Sequence, residues 1–308
     1  MSVSRRHTLY GVAAGATLIG GIDQQGVNSG TVSAQEPMSG EIYPRFQSIV
    51  SQEPSAHFRT AQIATAMGAV GFLGANIGSL AGKLVLYAQA HAAGSTRASG
   101  ASHRKYTINA GLLYPQGISI TDSAGHAALT YIAAATYDGA NEPVIPTDSV
   151  SLPAGLTDAE RFAIGPVTIG GVTISHIRSL EIDFGLTVEV QRADSDIWPT
   201  FVSIVRVAPM IRLTGIDVEL FKSTNIPLTG KAATHANTAI YLRKRAAGST
   251  YVANGTAQHL KFTAAGLAYV TDLIDATDES PAMCNLEMPL VYDGSNYPIL
   301  VTIGSAIS

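Results

Sequence analysis

The 308-residue sequence predicts a mainly β fold carried twice in one chain. Strand-like alternation outweighs helical periodicity, a set of signatures returns at one fixed spacing, and that spacing is half the chain. Ile42-Tyr43-Pro44-Arg45-Phe46-Gln47-Ser48-Ile49-Val50 returns as Ile197-Trp198-Pro199-Thr200-Phe201-Val202-Ser203-Ile204-Val205, a shift of 197 − 42 = 155. Pro54 falls on Pro209, Gly111-Leu112-Leu113-Tyr114 on Gly266-Leu267-Ala268-Tyr269, and Tyr137-Asp138-Gly139 on Tyr292-Asp293-Gly294, all at that offset. Ala92 to Thr96 matches Ala246 to Thr250 at 154, as a one-residue insertion or deletion would produce. A period of this length is a whole domain rather than a solenoid unit of roughly 20–50 residues, so two tandem homologous domains are expected, 1–153 and 154–308.

The elements follow in chain order. Arg5-Arg6 and the soft apolar run Gly11 to Ile22 imitate an export signal, with Val32-Ser33-Ala34 as a cleavage-like triplet. The polar stretch between Ile22 and Ala34 is too long for an ordinary cleavage region, and Leu18-Ile19-Gly20-Gly21-Ile22 resembles the internal Thr168-Ile169-Gly170-Gly171-Val172. The segment is therefore read as part of the first domain. Ile63, Ala66, Met67 and Val70 fall at i, i+3, i+4 and i+7 behind Thr60, predicting a short amphipathic helix with Thr60 as N-cap and an end near Gly71. Its partner region, Leu213 to Phe221, is compatible with helix or strand. Lys83 to His91 alternates with Leu84, Leu86, Ala88 and Ala90 on one face. Residues 94–102, almost wholly Gly, Ser, Ala and Thr, predict a long mobile hairpin tip. Pro146, Pro153 and Gly155 interrupt the pattern where the second copy begins, which places the boundary near Pro153.

In the second copy Glu181 to Val190 predicts one alternating strand, with Ile182, Phe184, Leu186, Val188 and Val190 on its apolar face. Thr238 to Arg245 puts Ile240 and Leu242 opposite Tyr241, Arg243 and Arg245, and a second Gly/Ser-rich arm lies at Gly248 to Gly255. The copies are expected to differ most where the polar run Asp23 to Gln35 stands against Glu181 to Val190.

Composition narrows the function classes. Charged residues make up 14% against 46% hydrophobic, where about 25% charged is usual; either large permanent interfaces or a small-residue-rich β core explains this. A net charge of −4 and pI near 6.0 leave no basic footprint for gripping nucleic acid. The lone Cys284 excludes an internal disulfide and reads as a buried small hydrophobe. No run approaches the roughly 18 apolar residues of a membrane-spanning helix.

Catalytic patterns are lacking in the sequence. Gly78-Ser79-Leu80-Ala81-Gly82-Lys83 has three residues between its glycines and Leu84 after the lysine, where a phosphate loop needs four and a Ser or Thr. The eight histidines are scattered, and Asp194-Ser195-Asp196 and Asp275 to Glu279 lack the calcium-loop pattern. No cofactor, metal site or enzymatic activity is expected. Tyr43 with Phe46, and Trp198 with Phe201, read as a core aromatic pair kept in both copies.

Ile197 to Ile204, the alternating Glu181 to Val190 and the ending Tyr292-Asp293-Gly294-Ser295-Asn296-Tyr297-Pro298-Ile299 together resemble the tail tube (major tail) proteins of long-tailed bacteriophages, in the variant that carries the tube domain twice. The resemblance spans both halves and is weakest over the first forty residues. It implies two β-sandwich domains, each with a short flanking helix and a long hairpin loop, assembling as a homotrimeric, pseudo-hexameric ring whose inner strands form one β-barrel. Rings would stack into a tube in the virion tail, assembled in the host cytoplasm, with tail tip, terminator and tape measure proteins as partners. Double-stranded DNA would pass without tight binding on its way into the host.

Within that reading Glu181, Asp183 and Glu189 either line the lumen, repelling the polyanion, or form an outward solvated face. The arms, with Ser95, Arg97, Ser99 and Arg104 in the first and Ser249, Tyr251 and Asn254 in the second, either join stacked rings or remain free loops. Closing a sheet into a barrel removes exposed edges, which independently favours a ring. The alternatives are the inner tube of a contractile tail or of a phage-derived injection or gene-transfer particle, and an exported two-domain β-sandwich binding module.

Overall fold

A computed structural model describes residues 6–91, 98, 100–123, 125–157, 159–193, 196–215, 233–246, 248, 251–277, 280–292, 294–295 and 297–307. The chain is mainly β, with one α-helix among the described residues. The first half contains β1 (Arg6–Ala14), β2 (Thr17–Ile19), β3 (Ile22–Asn28), β4 (Thr31–Pro37), β5 (Pro44–Gln52), β6 (Ser55–Thr60), α1 (Ile63–Val70), β7 (Ala75–Asn76), β8 (Leu84–His91), β9 (His103–Ile108), β10 (Gly111–Thr121), β11 (Ala128–Ala135) and β12 (Ile145–Val150). The second contains β13 (Phe162–Ile169), β14 (Val172–Ile174), β15 (Ile177–Asp183), β16 (Leu186–Gln191), β17 (Phe201–Val207), β18 (Met210–Gly215), β19 (Ala233–Lys244), β20 (His259–Thr277), β21 (Ser280–Pro289) and β22 (Ile299–Ser305).

Pairing order in the two halves corresponds. The first half forms a sheet β12-β9-β8-β1-β2, and the second runs β22-β20-β19-β13-β14. Facing these are β10-β11-β6-β3 and β20-β21-β18-β15, with the 19-residue β20 serving both layers where the first half uses β9 and β10. Register corresponds as well: Ile22↔Thr60 in the first half is Ile177↔Gly215 in the second, each number raised by 155. Val12↔Leu86 becomes Val167↔Ile240 at 155 and 154.

Between the layers lies a buried cluster built from alternate residues of both sheets, β-sandwich-like in each half. Val12, Leu84 and Leu86 face Phe58, Leu129 and Tyr131 in the first; Val167, Ile240 and Leu242 accompany Leu213, Leu286 and Met288 in the second. The Phe58 and Tyr131 rings stack at 5.2 Å. Helix α1 buries Ile63, Ala66, Met67 and Val70, the expected stripe, and ends at Gly71. Its N-cap position is Gln62; Thr60 instead accepts the Gln62 N–H at 3.0 Å and donates to the Gly20 carbonyl at 2.7 Å.

Three sequence-based expectations are corrected. Glu181 to Val190 is not one strand: the chain bends at Gly185 (φ +59), where a Cβ would lie 2.0 Å from the Ala208 carbonyl oxygen, so only glycine fits. The same device sits 155 residues earlier, with Gly30 (φ +57) against the Glu53 carbonyl at 2.2 Å. The segment expected to differ most between the copies is thus equivalent, β3 mapping onto β15. Third, the counterpart of Thr168 to Val172 is Ala13 to Thr17 rather than Leu18 to Ile22, because Gly15 (φ +63) turns β1 into β2 as Gly170 (φ +58) turns β13 into β14. Arg6 to Ala14 is a central strand, paired to both β8 and β2. Residues 216–221 of the Leu213 to Phe221 region lie outside the described residues; Leu213 itself is on β18.

Residues 151–157 carry no strand and lie against the first half. Tyr10 donates to the Pro153 carbonyl at 2.7 Å, and Gly11 and Gly20 leave room for Leu156 and Thr157.

Candidate functional site: an assembly interface

The halves meet edge to edge. β10 pairs antiparallel with β15, Gly117 opposite Asp183 through Thr121 opposite Ser179. This joins two four-stranded sheets into one of eight, β20-β21-β18-β15-β10-β11-β6-β3. The sheet is open. Among the described residues β3 has only β6 beside it, and residues 269–277 of β20 have only β21. At the 155-residue offset these two free edges correspond to β15 and β10.

A second contact locks the joint. The β16–β17 hairpin carries Ile197-Trp198-Pro199 at its end, laid against the first half. Gln52 N–H donates to the Ile197 carbonyl at 2.9 Å and Tyr137 N–H to the Pro199 carbonyl at 2.7 Å. Trp198 packs against Tyr137, ring centroids 5.6 Å apart and planes tilted by 32°, and donates its indole N–H to Gln52 Oε1 at 2.8 Å. Phe184 is fully buried beside it, 6.2 Å from Phe72 of the other half, and its N–H bonds the Gln116 carbonyl at 3.0 Å.

The expected lumen residues are divided. Glu181 and Asp183 lie on the polar face of the eight-stranded sheet, whereas Glu189 lies past the bend on the β16–β17 hairpin, opposite Ser203. On the polar face Arg212 sits between Glu181 at 3.3 Å and Glu287 at 3.4 Å, and Arg59 lies 3.7 Å from Asp23. Burial pulls the Arg212 guanidinium down, but the charge and hydrogen bond of Glu181, with Glu287 and Asp183, hold it above its ordinary value. Arg212 and Glu287 were not anticipated from the sequence; their signal is cross-strand placement beside Glu181, which needs the register.

The arms divide too. Ser95, Arg97, Ser99 and Ser249 lie outside the described residues. Arg104 is not on a loop: it sits in β9 and grips Asp148 of β12 at 2.5 and 3.0 Å. The second arm folds back on its own strand rather than forming a long tip. Tyr251 bridges Arg245 and lies under the Arg243 guanidinium at 4.7 Å, and the Asn254 carbonyl accepts the Ile307 N–H at 2.8 Å.

The aromatic anchors are the clearest correction. Tyr43, Phe46 and Phe201 are exposed, and Trp198 is half-buried in the joint rather than in a core. They belong to the β4–β5 and β16–β17 hairpins, which pair apart from the larger sheets, and of the four only Trp198 meets the other half. Tyr137 and Gln52 were missed as site residues, although Tyr137 opens one of the recurring signatures.

Elsewhere, a cleft of about 980 Å³ opens beside β3, lined among others by His7, Gln25, Tyr106, Pro146 and Trp198. His103 and His259 are buried, each accepting a backbone N–H through Nδ1 at 3.0 Å, from Ala90 and Lys244. No cluster of three His, Cys, Asp or Glu residues suited to a metal occurs among the described residues. No helix among them is long and apolar enough to cross a membrane. Against known proteins, the chain matches no family model and no curated sequence.

Proposed function

We propose that this chain is the tube subunit of a long bacteriophage tail: two duplicated β domains side by side, three chains closing a six-part ring around a β-barrel, and rings stacking into a conduit for double-stranded DNA. The observation that carries the reading is the β10–β15 joint, whose two edges recur unpaired as β20 and β3. If β20 of one chain meets β3 of the next in the register of the joint, adding 155 to one side and subtracting it from the other puts Asp272 opposite Asn28 and Ala276 opposite Gln24. Head-to-tail contacts of this kind propagate until they close. Closure leaves no exposed edge in the sheet, removing the aggregation hazard of a free strand.

Charge supports the cargo. The described polar face of the eight-stranded sheet carries Asp23, Glu181, Asp183 and Glu287 against Arg59 and Arg212, and both arginines sit beside carboxylates. Four acids less two bases is −2 for that face. A wall that commits its cations to its own carboxylates offers few counter-charges to phosphates, so DNA slides rather than binds.

Negative-stain microscopy of the purified protein, with its mass in solution, tests the reading. Stacked rings with a central hole, from a unit of three chains, are the expected result. Monodisperse single chains at all concentrations would overturn it in favour of a two-domain binding module.

A further inference from the structure

The joint inside the chain buries a set of side chains whose copies are bare at the other end of each half. Trp198 is half-buried against Tyr137, but its counterpart Tyr43 is 72% exposed; Ile42 is 87% exposed where its counterpart Ile197 is 45% exposed. On the receiving side Thr136 is 5% exposed while its copy Val291 is 51% exposed, and Tyr292, copy of the half-buried Tyr137, is 57% exposed. Val207, copy of Gln52, is exposed as well. Two apolar patches on one molecule, each the counterpart of one side of a contact already made within the chain, call for each other.

From this we infer that the β4–β5 hairpin is a latch: Ile42-Tyr43-Pro44 of one copy seats on the Tyr292, Val291 and Val207 corner of the next. By the geometry of the joint, Val207 N–H donates to the neighbour's Ile42 carbonyl, Tyr292 N–H donates to its Pro44 carbonyl, and the Tyr43 ring packs, tilted, against Tyr292. The latch differs from the joint in one respect. Where Trp198 donates to Gln52, the copies are Tyr43 and Val207, so a polar pair has become an apolar one. The occupant is a second copy of this chain and not a foreign peptide, because both faces and the backbone pairing are those of the internal contact. The inference rests on the ring proposed above but not on what the ring conducts.

Cross-linking tests it. Tyr43→Cys combined with Tyr292→Cys is treated with a short homobifunctional maleimide; the native Cys284 is buried and does not compete. The expected products are two- and three-chain species, absent from either single variant. The control pair Tyr137→Cys with Trp198→Cys should close within one chain, adding one linker and forming no multi-chain species. Single-chain product alone from the first pair, with both positions open to a monofunctional maleimide, overturns the latch. So does equal dimer formation by a single variant. Tyr43→Ala should raise the concentration needed for assembly roughly thirtyfold, as loss of a central aromatic anchor does. Val207→Gln alone should raise it about tenfold, and Val207→Gln with Tyr43→Trp should restore it by rebuilding the internal polar pair; losses that simply multiply overturn the assignment. Cross-linked trimers without stacked tubes support the latch and remove the conduit, whereas tubes without the cross-link remove the latch alone.

Discussion

The middle of the chain and its two ends present the same surface in different states. In the middle, β10 and β15 satisfy each other's backbone groups, Phe184 is enclosed, and Trp198 rests on Tyr137. At the ends the copies stand open: β3, the far part of β20, Ser29, Tyr43 and Tyr292. The two halves are alike in pairing order and register, so the difference is one of neighbours. A contact surface repeated along a chain is covered where the chain supplies both sides and bare where it supplies one.

The comparison can be broken in several places. Phe184→Ala should cost about 3–5 kcal/mol, the usual loss for a fully buried phenylalanine, whereas Ser29→Ala at the copied position should stay within about 0.5 kcal/mol. Denaturant unfolding of the single chain measures both, and equal losses would show that the joint adds no enclosure. Gly185→Ala and Gly30→Ala should each cost about 3 kcal/mol, combining a left-handed backbone with a Cβ forced onto a carbonyl oxygen. A clear inequality between them would mean that the halves do not share the bend. Trp198→Ala should lower single-chain stability by about 2 kcal/mol, as fits a half-buried indole packed against a tyrosine, while Tyr43→Ala should leave it unchanged within about 0.5 kcal/mol. A large effect of Tyr43→Ala on the unassembled chain would place that ring in an internal contact.

The smallest effect is a pH dependence at the corner beside the joint. Hydrogen bonds from the Asn141 side chain, then from the Asn141 and Ala140 backbone N–H groups, hold the Asp138 carboxyl down to about 2. A carboxyl lowered in the folded state stabilises above its unfolded value, near about 4, and that contribution is lost as pH falls through the folded one. Fluorescence of Trp198, the single tryptophan, whose ring packs against Tyr137 next to this turn, should therefore be flat above about pH 4 and change between there and about 2. Asp138→Asn should flatten the change, and an unaltered acid transition in that variant would assign it to another group.

Much of the fold was legible in the residues. The offset of 155 came from Ile42 to Val50 and Ile197 to Val205, and the helix stripe Ile63, Ala66, Met67 and Val70 was read in full, since a 3.6-residue period is local. The site was legible only in fragments. Glu181 and Asp183 stood out as polar positions on an alternating strand, but Glu189 belongs to another sheet because Gly185 bends the chain between them. Tyr43, Phe46 and Phe201 looked like core residues because aromatic recurrence does not distinguish a packed interior from a surface kept for contact.

Sequence alone thus determined the period, the alternation that makes this chain mostly strand, and the residue types that recur at each copied position. Only the tertiary structure decided which edges meet and which remain open. The reason is physical: alternation assigns a side chain to a face through its apolar or polar character, whereas edge pairing runs through backbone N–H and C=O groups that every residue carries alike.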